Sequence, residues 1–290
     1  MVVQVKALAC ELPCGQGLPL SRLSSRDIAG EAVRRGIVAQ VSRATVWRWL
    51  NEDAIKPWQY RSWIFPRDPE FEAKAGRVLD LYHATWEGRP LGNDEFVLCA
   101  DEKTRVQARA RTHSGSPHGP HRIRKVEHEY ERRGYINYLA AWDVHRAKLF
   151  GRCEPQTGIV PFDRLVADVM TRNPYRSAKR VFWIVDNGSS HRGQRAVERL
   201  QSKWPNLTLV HLPVHASWLN QIEIYFSILQ RKVLSPNERI SVEGLIESIL
   251  QFQSWYEERA KPFEWKFTKR DLHTLLQRLE QQTSGLTQAA

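Results

Sequence analysis

The apolar positions of this chain fall into short runs that stop at acids or turn residues. Val181 to Val185 is continuously apolar and runs straight into Asp186, with Asn187-Gly188 behind it. A run of that length bounded by turn residues predicts a strand buried on both faces, with Asp186 at its C-terminal edge. Phe96 to Ala100 repeats the pattern and stops at Asp101. Leu207 to Leu212 predicts a further buried strand, closed by Pro213. Tyr135 to Val144 and Lys148 to Arg152 predict a hairpin across His145-Arg146-Ala147.

Between these runs the period changes to that of a helix. Phe162 to Met170 is amphipathic, and a helical stretch separates Asp186 from Leu207. An aromatic-rich helix carrying Glu223 follows Pro213. Ser241 caps a helix running to about Glu258, with Leu245, Ile249, Phe252 and Tyr256 on one face. Lys269 to Leu279 predicts a last helix. The order strand, hairpin, helix, strand, helix, strand, helix predicts an α/β domain with a mixed sheet flanked by helices.

The N-terminal third reads differently. Residues 1–17 carry little periodic signal. Ser24 and Asp27 form a capping-box pattern ahead of Ile28, Ala32 and Val33, and Gly36 sits where a helix C-terminus needs a left-handed residue. Ser42 caps a second helix with Val46 and Leu50 on its inner side. Two short helices and a compact turn, about residues 19–52, predict a small all-α helix-turn-helix domain. Its outward residues, Arg43, Thr45, Arg48 and Trp49, would meet DNA bases. The expected organisation is a DNA-binding region over 1–66, a linker helix and connector over 67–94, a catalytic domain over 95–270, and a C-terminal helix and tail over 271–290.

Composition narrows the partners. There are 43 Lys and Arg against 32 Asp and Glu, a net charge of +11, which points to a polyanion. Seven cations and no acid lie between Lys103 and Lys125: Lys103, Arg105, Arg109, Arg111, Arg122, Arg124 and Lys125. Gly115, Pro117, Gly119 and Pro120 make that stretch a loop suited to a phosphate backbone. His113, His118 and His121 lie in it without the cysteines of a zinc site. Cys10 and Cys14 lack a second pair, so reduced thiols are expected. No apolar run approaches the roughly 20 residues that span a bilayer, and the N-terminus lacks a secretory signal. A cytoplasmic protein is expected.

The chemistry rests on three acids. Asp101 and Asp186 close two strands, and Glu223 lies on the helix after a third. If the first two strands are neighbours, all three meet at one sheet edge. Clustered carboxylates repel, and a divalent cation removes the conflict. All-oxygen ligands favour Mg2+ or Mn2+, and two ions about 3.5–4 Å apart suit phosphoryl displacement. Asn187 and Asn220 are candidates to orient the ligands, with ordinary turn or packing roles as the alternative, and His191 is a candidate to orient a phosphate or a ligand carboxylate, with a helix-start hydrogen bond as the alternative. Glu102 should face away from Asp101 by strand alternation, and Asp143 is read as a structural hairpin residue. Trp218, Tyr225 and Phe226 are read as core, with Tyr225 the one able to face DNA.

ADEKT around Asp101, VDNGSSH around Asp186 and HASWLNQIEIYF around Glu223 together resemble bacterial insertion-sequence transposases related to mariner elements. These belong to the DDE, ribonuclease H-like superfamily. The resemblance covers about residues 95–270 and extends to the short interval between Asp186 and Glu223. It implies that Asp101, Asp186 and Glu223 bind two metal ions. It also implies cut-and-paste transfer of double-stranded DNA from terminal inverted repeats, typically into a TA target, by a homodimer. The family often has two helix-turn-helix units where this chain shows one, so a shortened first unit is expected. Two other readings stay open: a non-catalytic helix-turn-helix protein or truncated, inactive relic, and a metal nuclease that cuts without joining.

Overall fold

The computed structural model describes all residues except 60–65, 114, 117, 118, 120, 122, 237–240 and 288–290; for 15, 16 and 282–287 it describes the backbone alone. Arg122 and His118 therefore lie outside the described residues. The chain divides into two compact units, Met1–Ile64 and Phe65–Ala290.

The first unit holds three helices, α1 (Val2–Cys10), α2 (Ser25–Arg34) and α3 (Arg43–Glu52), with a 3-10 turn at Pro13–Gln16. The Ser24 hydroxyl accepts from the Asp27 N–H and the Asp27 carboxylate accepts from the Ser24 N–H, so both halves of the capping box form. Ser42 caps α3 by accepting from the Thr45 N–H. Gly36 is left-handed, with φ +68°. Val5 and Leu8 of α1 pack with Ile28, Ala32, Val46 and Leu50. Helix α1 is a correction to the expectation for residues 1–17. Its sequence, VVQVKALAC, has too few polar positions to mark one face, and burial of Val5 and Leu8 selects the inner side. Trp49 also corrects the outward assignment. It packs against this core, whereas Trp47 is exposed.

The second unit opens with α4 (Phe71–Tyr82) and a short hairpin, β1 (Thr85–Trp86) and β2 (Arg89–Pro90). Then come β3 (Glu95–Ala110), β4 (Glu131–Asp143), β5 (Lys148–Glu154), α5 (Ile159–Met170), β6 (Arg180–Val185), α6 (Gln194–Lys203), β7 (Leu207–His211), α7 (Ile222–Lys232), α8 (Val242–Glu257) and α9 (Lys269–Thr287). The five long strands form one sheet in the order β5-β4-β3-β6-β7. The β3–β4 and β4–β5 pairs are antiparallel, while β3–β6 and β6–β7 are parallel. The mixed sheet is thus as predicted, and the strands that carry Asp101 and precede Asp186 are neighbours.

Alternation along β3 divides the core. Val97 and Cys99 join Tyr138, Trp142 and Ile184 on the face covered by α4, α7 and α8. Leu98 and Ala100 join Leu139, Trp183 and Val185 on the face covered by α5, with Leu200 of α6. Helix α4 lays Phe71, Ala75, Val78 and Leu79 into the first of these layers, and α9 adds Leu272 and a Lys269–Asp80 ion pair.

Two local expectations change. The strand from Phe96 does not stop at Asp101 but runs on to Ala110, paired antiparallel to β4. The polar residues beyond Asp101 mimic a loop because they lack core contacts, yet β4 satisfies their backbone. Consequently Lys103, Arg105 and Arg109 lie on a strand and not on a loop; Arg124 and Lys125 lie in irregular chain.

Candidate active site

Although Asp101 is mid-strand, it stands at the edge that matters. The register pairs Cys99 with Ile184, and β6 ends at Val185. Beyond Cys99, β3 has no parallel neighbour, and Asp186 turns into the opening. Helix α7 comes back over the same end and carries Glu223 in its first turn.

Asp101 is held from two directions. Its Oδ1 accepts from the Glu102 N–H at 2.7 Å, and Asn220 Nδ2 lies 3.4 Å from its Oδ2. The same Nδ2 donates to the Ala100 carbonyl at 3.1 Å. Burial first, then the charges of Asp186 and Glu223, push the Asp101 carboxyl up to about 7. Glu223 is raised in the same direction by burial and opposed by the nearby Lys103 ammonium.

Asp186 behaves oppositely. Its Oδ1 accepts from His191 Nε2 at 2.5 Å and from the Gly188 N–H at 2.8 Å, and the histidine bond holds the carboxyl below its ordinary value. A carboxylate can only accept, so Nε2 carries the proton in that bond. Ser190 Oγ lies 2.9 Å from Nδ1, and Phe162 packs tilted against the ring, centroids 4.8 Å apart. The turn needs glycine at position 188, since a Cβ there would meet Asp186 Oδ1 at 2.9 Å and His191 Nε2 at 3.1 Å. Asn187 points elsewhere and ties the turn to β7 through the Leu212 carbonyl at 2.8 Å.

The three acids are therefore electrically coupled neighbours. Among the described residues, no three His, Cys, Asp or Glu side chains lie close enough to grip one ion. The donor set nevertheless fits a hard divalent cation. Two buried oxygens near the acids, Asn220 Oδ1 and Glu102 Oε1, have no hydrogen-bond partner, and every donor is oxygen.

The sequence matches the family model of the DDE superfamily endonucleases over residues 96–246. The chain belongs to that family. No curated protein matches the sequence. Among solved structures, the Mos1 mariner paired end complex with Mn is similar at a TM-score of 0.54 and 14% identity, covering 97% of this chain and 77% of that one. The Mos1 strand transfer complex is similar at 0.54 and 14%, covering 97% and 76%. At that identity the likeness shows a shared ribonuclease H-like fold.

In this DDE endonuclease, Asp101, Asp186, Glu223, His191 and Asn220 lie together, and Asn187 braces the turn from behind. Glu102 points off the Asp101 face, as alternation requires, but it does not leave the site. Burial raises its carboxyl, and Asp186 and His191 both act on it, because Asp186 occupies the sheet edge where both faces are in reach. No sequence signal marks that. Tyr225 and Phe226 are core as read, Tyr225 buried against Tyr138 with no side left to face DNA, whereas Trp218, also read as core, is 43% exposed. Asp143 is structural, accepting from Tyr175 Oη and the His145 and Arg146 N–H groups. In the first unit Arg43 and Arg48 are exposed and Thr45 is half-buried. Tyr130 and Arg132, which line a basic pocket together with Arg109, were not singled out from the sequence.

Proposed function

We propose that this DDE endonuclease is a DNA transposase that cuts double-stranded DNA at the terminal inverted repeats of its element and transfers the ends to a target. The observation that carries this reading is that β6 stops at Val185 beside β3, so that Asp186 follows at the open end of the sheet next to Asp101, while Asn220 ties the start of α7, which carries Glu223, to Ala100 and Asp101. In the reading these acids hold two Mg2+ or Mn2+ ions, with the unpartnered oxygens of Asn220 and Glu102 beside them. When bound, such ions would supply an activated nucleophile and charge stabilisation at the leaving oxygen.

The chain's own residues prepare the site. His191 fixes the rotamer and ionisation of Asp186, and Asn220 fixes Asp101 against the strand. Burial raises the Asp101 carboxyl to about 7, so charging it is disfavoured relative to an ordinary carboxylate, and a bound cation would compensate that charge. Arg43, Thr45 and Arg48 of the helix-turn-helix would read the element end. The cations of β3 and of the following segment, Lys103, Arg105, Arg109, Arg111, Arg122, Arg124 and Lys125, would neutralise its phosphates. Insertion-sequence origin in a bacterium, a TA target and a homodimer that pairs two ends belong to the same proposal.

The test mixes purified protein, Mg2+ and DNA carrying the inverted repeats that flank the gene. Strand cleavage followed by joining is expected, abolished by Asp186→Asn. Absence of cleavage, or cleavage indifferent to that change, overturns the reading. Cleavage without joining would leave a nuclease.

A further inference from the structure

Strand β3 carries a local irregularity two residues beyond Lys103 that the acids do not explain. The register with β4 passes from Lys103↔Tyr138 to Val106↔Ile136, so β3 spends three residues where β4 spends two. Arg105 takes up the excess in a left-handed conformation, φ +51°. Arginine gains nothing there from backbone sterics, since glycine or asparagine would take that conformation more easily. The bulge is nevertheless held from inside. The Arg105 N–H donates to Oδ1 of the buried Asn137 at 2.9 Å, and Asn137 Nδ2 donates to the Pro155 carbonyl at 3.0 Å. A bulge of this kind re-aims a side chain and recurs beside active sites.

Arg105 lines a cavity of about 370 Å³, with its guanidinium carbon 5.9 Å from the centroid of the exposed Tyr135 ring. Lys103, Arg105 and Arg109 of β3, Tyr130 just before β4, Arg132 of β4 and Gln230 of α7 line it, and no acid does among the described residues. The Arg109 guanidinium stacks on the Tyr130 ring at 4.4 Å, and its Nε is buried without a hydrogen-bond partner. The cavity adjoins the acids. Lys103 is two strand residues from Asp101, about 7 Å at ~3.3 Å per residue. Gln230 is two helical turns from Glu223, about 10 Å at 1.5 Å per residue.

We propose that this pocket is a phosphate-binding subsite that grips the DNA backbone next to the phosphate presented to Asp101, Asp186 and Glu223. This rests on the DNA-cleaving reading above. Four cations around one concavity, with guanidinium forks that match phosphate oxygens, suit a phosphodiester. A grip on the backbone beside the acids sets the register of the strand without reading its sequence.

The test measures binding of the full chain to a fluorescein-labelled random-sequence duplex by anisotropy, across roughly 50–200 mM salt. Removing one cation that neutralises a phosphate should flatten the log–log salt dependence by about 0.9. Arg105→Gly with Arg109→Ala should therefore flatten it by about 2. Glycine accepts φ +51° freely, so the double variant keeps its fold, which a thermal melt checks. The comparison is Arg176→Ala with Lys179→Ala, a pair just ahead of β6, away from the end where Asp186 lies. That pair should leave the slope unchanged. Equal slopes in wild type and the pocket variant, or equal flattening in both doubles, overturn the subsite while leaving the DNA reading standing. A wild-type chain that binds no duplex at any of these salt concentrations overturns both.

Discussion

Asn220 joins the lead-in to α7 to the middle of β3: its Nδ2 donates to the Ala100 carbonyl at 3.1 Å and reaches Asp101 Oδ2 at 3.4 Å. One amide thus fixes the distance between the element that carries Asp101 and the one that carries Glu223. The residue is 1% exposed, so its removal strands a buried carbonyl and a carboxylate oxygen. Asn220→Ala should destabilise the protein by about 1–3 kcal/mol. Asn220→Asp should be worse at neutral pH, since it adds a fourth carboxylate. Chemical denaturation of the two variants checks the order; an alanine variant as stable as wild type would refute the bridging role.

The stability of the metal-free protein should depend on pH through Asp101. Its folded-state value, about 7, lies above the ordinary 3.8. The folded chain therefore binds more protons than the unfolded chain between those values, and stability falls as pH rises from about 4 to about 7. The deficit persists at higher pH, on the order of 2–4 kcal/mol. Asp101→Asn removes it. Melts in a chelating buffer should show the variant gaining on wild type from pH 4 to pH 8, and a constant difference across that range would contradict the assignment.

His191 is predicted to act through Asp186. The imidazole donates to Asp186 Oδ1 and is itself 3% exposed, packed on Phe162. Removing a group that orients a metal-ligating carboxylate typically lowers metal affinity or activity about 10–100-fold. His191→Ala should show that drop, measured as the Mg2+ concentration needed for half-maximal cleavage. His191→Gln, whose amide can still donate, should recover part of it. Equal impairment in both variants would indicate packing alone.

Gly188→Ala should impair the site more than the fold. The new Cβ would press on Asp186 Oδ1 and on the His191 ring, and both must shift to keep their bond. Cleavage should fall at least about tenfold while the melting temperature drops by only a few degrees, about 1 kcal/mol or less. Unchanged cleavage would mean that the turn relaxes without moving Asp186.

Much of this was legible in the chain itself. Apolar runs such as Val181 to Val185 are bounded so sharply that burial on both faces is the only way to satisfy them, and they appear as strands where expected. The caps at Ser24, Ser42 and Ser241 are local hydrogen bonds, written in neighbouring residues, and all three form. The candidate acids and their neighbours His191 and Asn220 could be picked out in the sequence from the motifs around them and from the pattern boundaries at which the acids sit.

What the sequence left undecided depends on partners distant in the chain. Asp101 looked like a strand end because nothing local shows that β4 extends the ladder past it. Helix α1 was invisible because its apolar side is chosen by packing on α2 and α3. Glu102 was set aside by alternation, which describes one strand, whereas its place near Asp186 and His191 depends on where β6 stops. Trp218 departs from its core reading for the same reason: an aromatic beside Tyr225 and Phe226 looks equally apolar in sequence, and only the packing of α7 and α8 on the sheet covers those two and leaves Trp218 exposed. Local chemistry, written in adjacent residues, determined the elements and the candidate acids; tertiary packing decided register, burial and the proximity that couples those acids.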